Sequence, residues 1–415
     1  MEQFENSKKP EQAVLVSVDT GENDIAASLL ELVELAKTAG AEVQASVIQK
    51  SEKMNAATCV GSGKLLEIKE FCIANEITLI IFDCELTPTQ LRNIEKVTDI
   101  RTIDRTLLIL DIFAARAHTR EGILQVGLAQ LKYTLPRLSG KGIELSRLGG
   151  GIGTRGPGES KLESDRRHIR RRIKALEDQL QKVEQHRKGL RDRRKKDGVT
   201  TVAIVGYTNA GKSTLMNALT GAGVLVENKL FATLDPTSRA LKLPDGREVM
   251  LIDTVGLIRK LPHHLVEAFK STLEEAAFAD VILNLCDASS EEAEVHLKVT
   301  EELLSELGCK ADNIISVLNK SDLQKSINPI AGVNYAVKIS ALLGQGLDEL
   351  LEAIVKILPP TRKQLKLLFP FEKGALAALV RKDGVINSEE YTEDGLLIDA
   401  IVDLRMMDEI KDYIV

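Results

Sequence analysis

Residues Gly206, Tyr207, Thr208, Asn209, Ala210, Gly211, Lys212 and Ser213 match the pattern G-x-x-x-x-G-K-[ST]. The chemistry such a run can do is polyphosphate binding. The glycines let backbone N–H groups turn inward around phosphate oxygens. A helix beginning at the lysine adds the partial positive charge of its N-terminus. Lys212 reaches the terminal phosphates, and the hydroxyl of Ser213 offers an oxygen to Mg²⁺. The context suits this reading: the apolar run 201–205 predicts a strand before the loop, and the segment from Thr214 to Thr220 predicts a helix after it.

Two further groups lie in order downstream. Met250-Leu-Ile-Asp253-Thr-Val-Gly256 is an apolar strand ending in a carboxylate. Asp253 is expected to hold Mg²⁺ through water, and Gly256 to place a backbone N–H near the terminal phosphate. Asn319-Lys320-Ser-Asp322 follows the apolar run 314–318. A carboxylate accepts two hydrogen bonds, and guanine has two adjacent donors on one edge where adenine has none. Asp322 therefore selects guanine. Asn319 ties the base side to the phosphate loop, and the Lys320 stem covers the base. Ser340 and Ala341 fit a loop closing over guanine from the other side. Between the loop and Asp253, Thr233 is the first candidate for a second hydroxyl on Mg²⁺, with Thr237 after it. Lys212, Thr233 and Gly256 are the expected catalytic set. The nucleotide is thus GTP or GDP, and the ordered set over residues 199–360 resembles the translation-factor-related GTPases.

Two positions bear on rate. Many GTPases follow D-x-x-G with a glutamine that orients the attacking water; here Leu257 and Ile258 follow. An aliphatic side chain cannot orient water, so intrinsic hydrolysis is expected to be slow until a partner completes the site. Asn209 makes the loop similar to GTPases in which this residue helps hold K⁺ beside the phosphates, so K⁺ is a second candidate cation.

The elements that must position these residues occupy less than half the chain. At 415 residues, two or three domains are expected. Aromatic residues make up 3% and Trp is absent, so the cores are aliphatic. No apolar run reaches the roughly 18–20 residues of a spanning helix, and the first residues lack the apolar region of a signal peptide. Five scattered cysteines without a C-x-x-C pair suit a reducing cytoplasm, neither a disulfide framework nor a zinc site. A soluble cytoplasmic monomer is expected.

Residues 12–105 alternate strands (13–18, 42–47, 78–82, 100–103) with helices (24–38, 62–75, 87–97), which predicts a small, mostly parallel α/β domain over 1–105. Gly61-Ser-Gly-Lys64 within it lacks the first glycine and spacer of a phosphate loop and is expected to begin a helix. From 106 to 198, apolar and seam positions step by four and three between Leu110 and Leu135 and again between Leu162 and Leu190. This predicts an antiparallel helical hairpin, each arm ~40–50 Å long, with a glycine-rich tip. The net charge is −6, yet residues 137–196 hold nineteen Lys and Arg against eight Asp and Glu. Such a block in an acidic protein points to a local polyanion contact. Lys141, Arg147, Gly150, Gly151, Arg155, Gly156 and Gly158 at the tip suit close approach to a nucleic-acid backbone. A protein-binding coiled coil on a GTP switch is one competing reading, and another RNA-associated GTPase is the second. The GTPase part is expected over 199–360, and an α+β appendage, with strands at 364–369 and 396–402 and a helix near 371–381, over 361–415.

The chain resembles the HflX family of ribosome-associated bacterial GTPases. The resemblance rests on segments 60–65, 90–93, 104–106, 116–119, 124–126, 128–131, 150–159, 162–167, 231–234 and 253–256, and covers nearly the whole chain. Gly127 departs from the family's usual Glu, and Leu257 from its usual Phe. The resemblance implies binding of the large ribosomal subunit and ribosomal RNA, with the hairpin tip reaching towards the peptidyl-transferase region. It further implies GTP-dependent splitting of stalled or vacant ribosomes, often under heat stress, with hydrolysis resetting the factor. It also carries ATP hydrolysis by the N-terminal part, for which no motif here locates a site.

Overall fold

The computed structural model describes residues 10–21, 24–138, 157–221, 230–231, 237–259, 276–323, 336–358 and 362–415. By contact density the chain separates into two units, Met1–Val355 and Lys356–Val415.

The first unit opens with a four-stranded parallel sheet in the order β2–β1–β3–β4. Its strands are β1 (Glu11–Asp19), β2 (Ala41–Lys50), β3 (Leu79–Phe82) and β4 (Arg101–Asp104). Residues 13–18 of β1 and all of β3 are buried, as befits parallel strands covered on both faces. The covering helices are α1 (Ile25–Thr38), α2 (Ser62–Ala74) and α3 (Pro88–Thr98). Their starts are chemically specified. Asp24 accepts from Ala27 N, and Thr87 and Gln90 form a reciprocal capping box with Pro88 in the first turn. Gly61 is the N-cap of α2, and its N–H bonds Gln49 Oε1 at 2.8 Å. The Gly61–Lys64 segment therefore starts a helix, as expected.

The heptad run 110–135 does not lie on one helix. It is divided between α4 (Arg105–Arg116) and α5 (Arg120–Arg137), separated by Ala117–Thr119. Thr119 breaks the run by capping α5 through Gly122 N at 3.0 Å. Helix α4 belongs to the N-terminal core, where Leu108, Ile109, Ile112 and Phe113 are buried. It is α5 that packs along α6 (Pro157–Lys196). Leu124 and Leu128 of α5 meet Leu180, Ile173, Leu176 and Val183 of α6. The pairs Glu121–Arg187 and Lys132–Glu177, the latter at 2.9 Å, set the two helices antiparallel. The arms are therefore unequal, α5 at ~27 Å and α6 at ~60 Å by helical rise.

A six-stranded sheet follows, ordered β10–β9–β8–β5–β7–β6. It comprises β5 (Thr200–Gly206), β6 (Thr237–Lys242), β7 (Glu248–Asp253), β8 (Val281–Asp287), β9 (Ile314–Asn319) and β10 (Ala336–Lys338). All neighbours are parallel except β6, which runs antiparallel to β7 at the edge. The associated helices are α7 (Lys212–Thr220), α8 (Ala293–Glu306) and α9 (Leu347–Ile357).

In the second unit, β11 (Arg362–Phe369), β13 (Gly395–Asp403) and β12 (Val385–Thr392) form an antiparallel sheet in that order, with α10 (Gly374–Asp383). Its core joins Leu367, Phe369, Val380, Ile398 and Ala400. The strand β12 adds to the expected pair, and the two-residue turn Glu393–Asp394 joins it to β13.

Candidate functional site

Strand β5 is hydrogen-bonded to β7 on one side and β8 on the other. Its C-terminal end therefore opens at the centre of the sheet, where open α/β sheets receive ligands. Gly206, Tyr207, Thr208, Asn209, Ala210 and Gly211 turn from this end into α7, whose first residues are Lys212, Ser213 and Thr214. The glycines are required by close approach. A Cβ on Gly206 would run into the carbonyl of Leu285, and one on Gly211, where φ is +95°, into the side-chain amide of Asn319. Asn209 takes a left-handed φ of +61° and is exposed.

Lys212 is buried. Its amine donates to the carbonyls of Gly206 at 3.1 Å and Tyr207 at 2.9 Å. Burial pulls its pKa down to about 8, against an opposing pull from Asp253. Ser213 Oγ donates to Asp253 Oδ2 at 2.9 Å. Thr237, the second hydroxyl candidate, opens β6 directly opposite Asp253. Its hydroxyl, like that of Thr208, is buried without a hydrogen-bond partner among the described residues. The Ser213 hydroxyl from the first turn of α7, with the Asp253 carboxylate and the orphaned Thr237 hydroxyl on paired strands, supplies hard oxygens of the kind Mg²⁺ takes. Among the described residues no group of three or more His, Cys, Asp or Glu could hold a metal. A Mg²⁺ held at this corner would take its remaining ligands from phosphate and water.

Gly256 passes against the loop, and no larger residue fits. A Cβ there would stand 2.8 Å from Thr208 Cγ2 and 3.0 Å from Lys212 Nζ. The next residue is stitched to the loop by two backbone bonds, Leu257 N to Gly206 O at 3.1 Å and Thr208 N to Leu257 O at 2.7 Å. The Leu257 side chain lies in an apolar cluster with Ala203, Val205, Ala276, Ile282 and Leu304. It is buried in the core.

On the far side, Asn319 Nδ2 donates to Ala210 O at 2.8 Å, and Asn319 Oδ1 accepts from Ala341 N at 2.9 Å. One buried side chain thus joins the phosphate loop to the Ser340–Ala341 turn. Ser340 is buried and paired through its backbone with Gln345. Lys320 has φ +61° and pairs with Asp287 at 2.5 Å. Asp322 sits exposed in the short 3-10 turn Ser321–Leu323. Thr233, Lys141, Arg147, Gly150, Gly151, Arg155 and Gly156 lie outside the described residues, and Gly158 falls in the first turn of α6.

Sequence reasoning missed a second set of residues around the site. Tyr207 OH donates to Glu31 Oε1 on α1 at 3.0 Å and accepts from Arg259 N at 2.5 Å. Phe231 meets Phe113 of α4 edge-on at 4.6 Å, and Val255 and Ile258 enter the same apolar cluster. Glu31 and Tyr207 stand 176 residues apart in the chain, and no local pattern marks such a pair.

Three sequence profiles match the chain in order. One described as "GTP-binding GTPase N-terminal" covers residues 26–114, one described as "GTP-binding GTPase Middle Region" covers 116–194, and one described as "50S ribosome-binding GTPase" covers 201–320. The chain is 51% identical over 411 residues to the GTPase HflX of Caldanaerobacter subterraneus subsp. tengcongensis, spanning 99% of this chain and 95% of that one. It is 49% identical to the GTPase HflX of Lacrimispora saccharolytica, over 97% and 96% of the two chains. Against the GTPase HflX of Alkalihalophilus pseudofirmus the identity is 44%, over 92% and 91%.

Proposed function

The chain belongs to the GTPase HflX family and is a GTP hydrolase, and from that premise we propose that it binds the large ribosomal subunit and splits stalled or vacant ribosomes, as under heat stress. The observation that carries this reading is the face of α6 turned away from α5. Arg167, Arg170, Arg171 and Lys174 are exposed there, with Arg172 exposed on the flank, in the turns that lead away from the glycine-rich segment. Arginines on a straight helical arm match the phosphate spacing and shape of structured RNA better than a protein partner, which would ask for an apolar stripe. The paired stripe on α6 is already covered by α5. The ribosome description attached to the profile over 201–320 points the same way.

In this reading the N-terminal part through α4 and residues 199–360 are the regulatory and nucleotide-binding parts, the hairpin from α5 to residue 198 is the ribosome probe and 361–415 an appendage. Gly206 through Thr214 cradle the phosphates, Lys212 neutralises the terminal ones, and Gly256 contributes a backbone N–H. Asn319, Lys320, Asp322, Ser340 and Ala341 hold guanine. Ser213, Asp253 through water, and Thr233 would hold Mg²⁺, which supplies charge neutralisation at the phosphates when bound. Asn209, exposed and left-handed at the loop's outer edge, would serve K⁺. Lys141, Arg147, Gly150, Gly151, Arg155, Gly156 and Gly158 approach ribosomal RNA. The factor acts as a cytoplasmic monomer, and the ribosome stimulates its hydrolysis.

Sedimentation of intact ribosomes with the protein and GTP, a non-hydrolysable analogue or GDP tests the proposal. Subunits should separate with the analogue and not with GDP. Intact ribosomes under every nucleotide would overturn it, as would salt-insensitive association, because a phosphate-contacting arm must release counterions.

A further inference from the structure

The structure assigns Glu31 and Arg105, both outside the nucleotide-binding motifs, the role of positioning residues for GTP hydrolysis. This inference rests on the nucleotide site at Gly206–Ser213 and Asp253–Gly256 and not on the ribosomal reading.

Gly256 can serve the transition state only if the segment that follows it is held at a defined height over the phosphate loop. Two backbone bonds at Leu257 begin that task. Two more ties involve helices α1 and α4 of the N-terminal part. Arg259 N donates to the Tyr207 hydroxyl at 2.5 Å, and that hydroxyl donates in turn to Glu31 at 3.0 Å. Arg259 O accepts from Arg105 at 3.3 Å. Both the N–H and the C=O of Arg259, three residues beyond Gly256, are therefore fixed by groups that the N-terminal part holds in place.

Those groups are themselves held. Arg105 is 2% exposed and bridges Glu31 at 3.0 Å and Asp83 at 2.8 Å. Asp83, at the end of β3, also accepts from Ser28 Oγ at 2.6 Å. Ser28 and Glu31 are one turn apart on α1 and present the same face. The Tyr207 ring stacks on His296 of α8 at 3.8 Å with 15° between planes, so its hydroxyl has one place to go. A chain of buried, charge-assisted bonds of this kind behaves as a unit. Desolvation raises the Glu31 carboxyl above its ordinary value, with Arg105 opposing first, then Tyr207 and Arg259. A proton there removes the charge that draws both the Tyr207 hydroxyl and Arg105 and leaves only a weaker, neutral acceptor.

The test uses the full chain and single-turnover GTP hydrolysis, with GDP and GTP affinities measured in parallel. Tyr207→Phe keeps the stacked ring and loses the hydroxyl. Glu31→Gln keeps the shape and loses the charge. Each should slow the hydrolysis step by about five-fold, the rate equivalent of a hydrogen bond lost or stripped of its charge, and in Glu31→Gln, which lies outside the nucleotide site, GTP and GDP affinities stay within about two-fold. The double variant should be no slower than the slower single one, because both act through one chain of bonds. The wild-type rate should fall on the acid side as Glu31 takes its proton, and that limb should disappear in Glu31→Gln. Unchanged rates, additive losses, or an acid limb that survives Glu31→Gln would each overturn the assignment. So would rates that fall only in step with nucleotide affinity or with the melting temperature. If wild-type protein bound no guanine nucleotide, the nucleotide site itself would be at fault, an outcome distinct from all of these.

Discussion

Ser213 Oγ and Asp253 Oδ2 are bonded to each other at 2.9 Å, so the hydroxyl and the carboxylate that would share a hydrated Mg²⁺ already face one another across α7 and β7. The contact follows from topology. Strand β7 lies directly beside β5, so the ends of the two strands deliver the loop and the carboxylate to the same corner. The cation would come between two oxygens already at the right height, with little rearrangement.

Removing that hydroxyl should therefore cost Mg²⁺-dependent affinity more than fold stability. In Ser213→Ala we expect Mg²⁺–GTP to bind about 10–100-fold more weakly, the span of one charge-assisted interaction of roughly 1.5–3 kcal/mol. Metal-free GDP should bind nearly as before. Nucleotide-release rates over a Mg²⁺ titration check this, and an unaltered Mg²⁺ dependence would remove Ser213 from the metal site.

Leu257 raises the question of whether restoring glutamine there restores efficient hydrolysis. It should not. The backbone at Leu257 is tied on both sides to the phosphate loop, and its side chain is 5% exposed among Ala203, Val205 and Ile282. Leu257→Gln would bury an amide in an apolar cluster at a cost of about 1–3 kcal/mol. Denaturant unfolding should register that loss, and ribosome-free GTP turnover should stay flat. A rise in turnover would mean that the segment reorients when GTP binds.

Much of this site was legible before the fold. The loop, Asp253 and Asn319 each end a strongly apolar strand, and strand ends in a parallel sheet converge by construction. The strands at 13–18 and 78–82 were equally plain because both faces are buried, leaving uninterrupted apolar runs. Strand β12 was not legible. Its sequence, Val-Ile-Asn-Ser-Glu-Glu-Tyr-Thr, has no buried residue and hence no alternation to detect. The break at Ala117–Thr119 was hidden for another reason: threonine starts helices and also sits within them, so the apolar period runs past it. The Tyr207–Glu31 bond joins two helically and locally unremarkable positions, and only tertiary packing brings them together.

Gly127 stands in the middle of α5, facing α6, where an added Cβ would meet Leu176 Cδ1 at an ordinary 3.8 Å. The space accepts a methyl group without displacement. Glycine in a helix interior costs about 0.5–1 kcal/mol relative to alanine. Gly127→Ala should therefore stabilise the hairpin by that amount, seen as slower amide exchange along α5. A destabilised hairpin would mean that α5 and α6 approach more closely than their Leu128–Leu180 contact implies.

On the proposed role of Lys212, GTP binding is expected to be sensitive to alkaline pH. Burial lowers its pKa to about 8 from an ordinary 10.5. Between those values the folded protein holds fewer protons at this group than the unfolded chain. Its contribution to stability therefore rises with pH from about 8 to about 10.5 and is flat outside that window. Nucleotide reverses the sign. A triphosphate placed over the loop favours the ammonium form and draws the pKa back up. GTP affinity should then be level below pH 8 and weaken above it, approaching a tenfold loss per pH unit, with one proton taken up on binding. Calorimetry at pH 9 in two buffers of different ionisation enthalpy measures that proton directly. Lys212→Arg, which stays charged throughout this range, should abolish the uptake even where it weakens binding. Equal heats in the two buffers for the wild-type protein would place the amine in its charged form before nucleotide arrives.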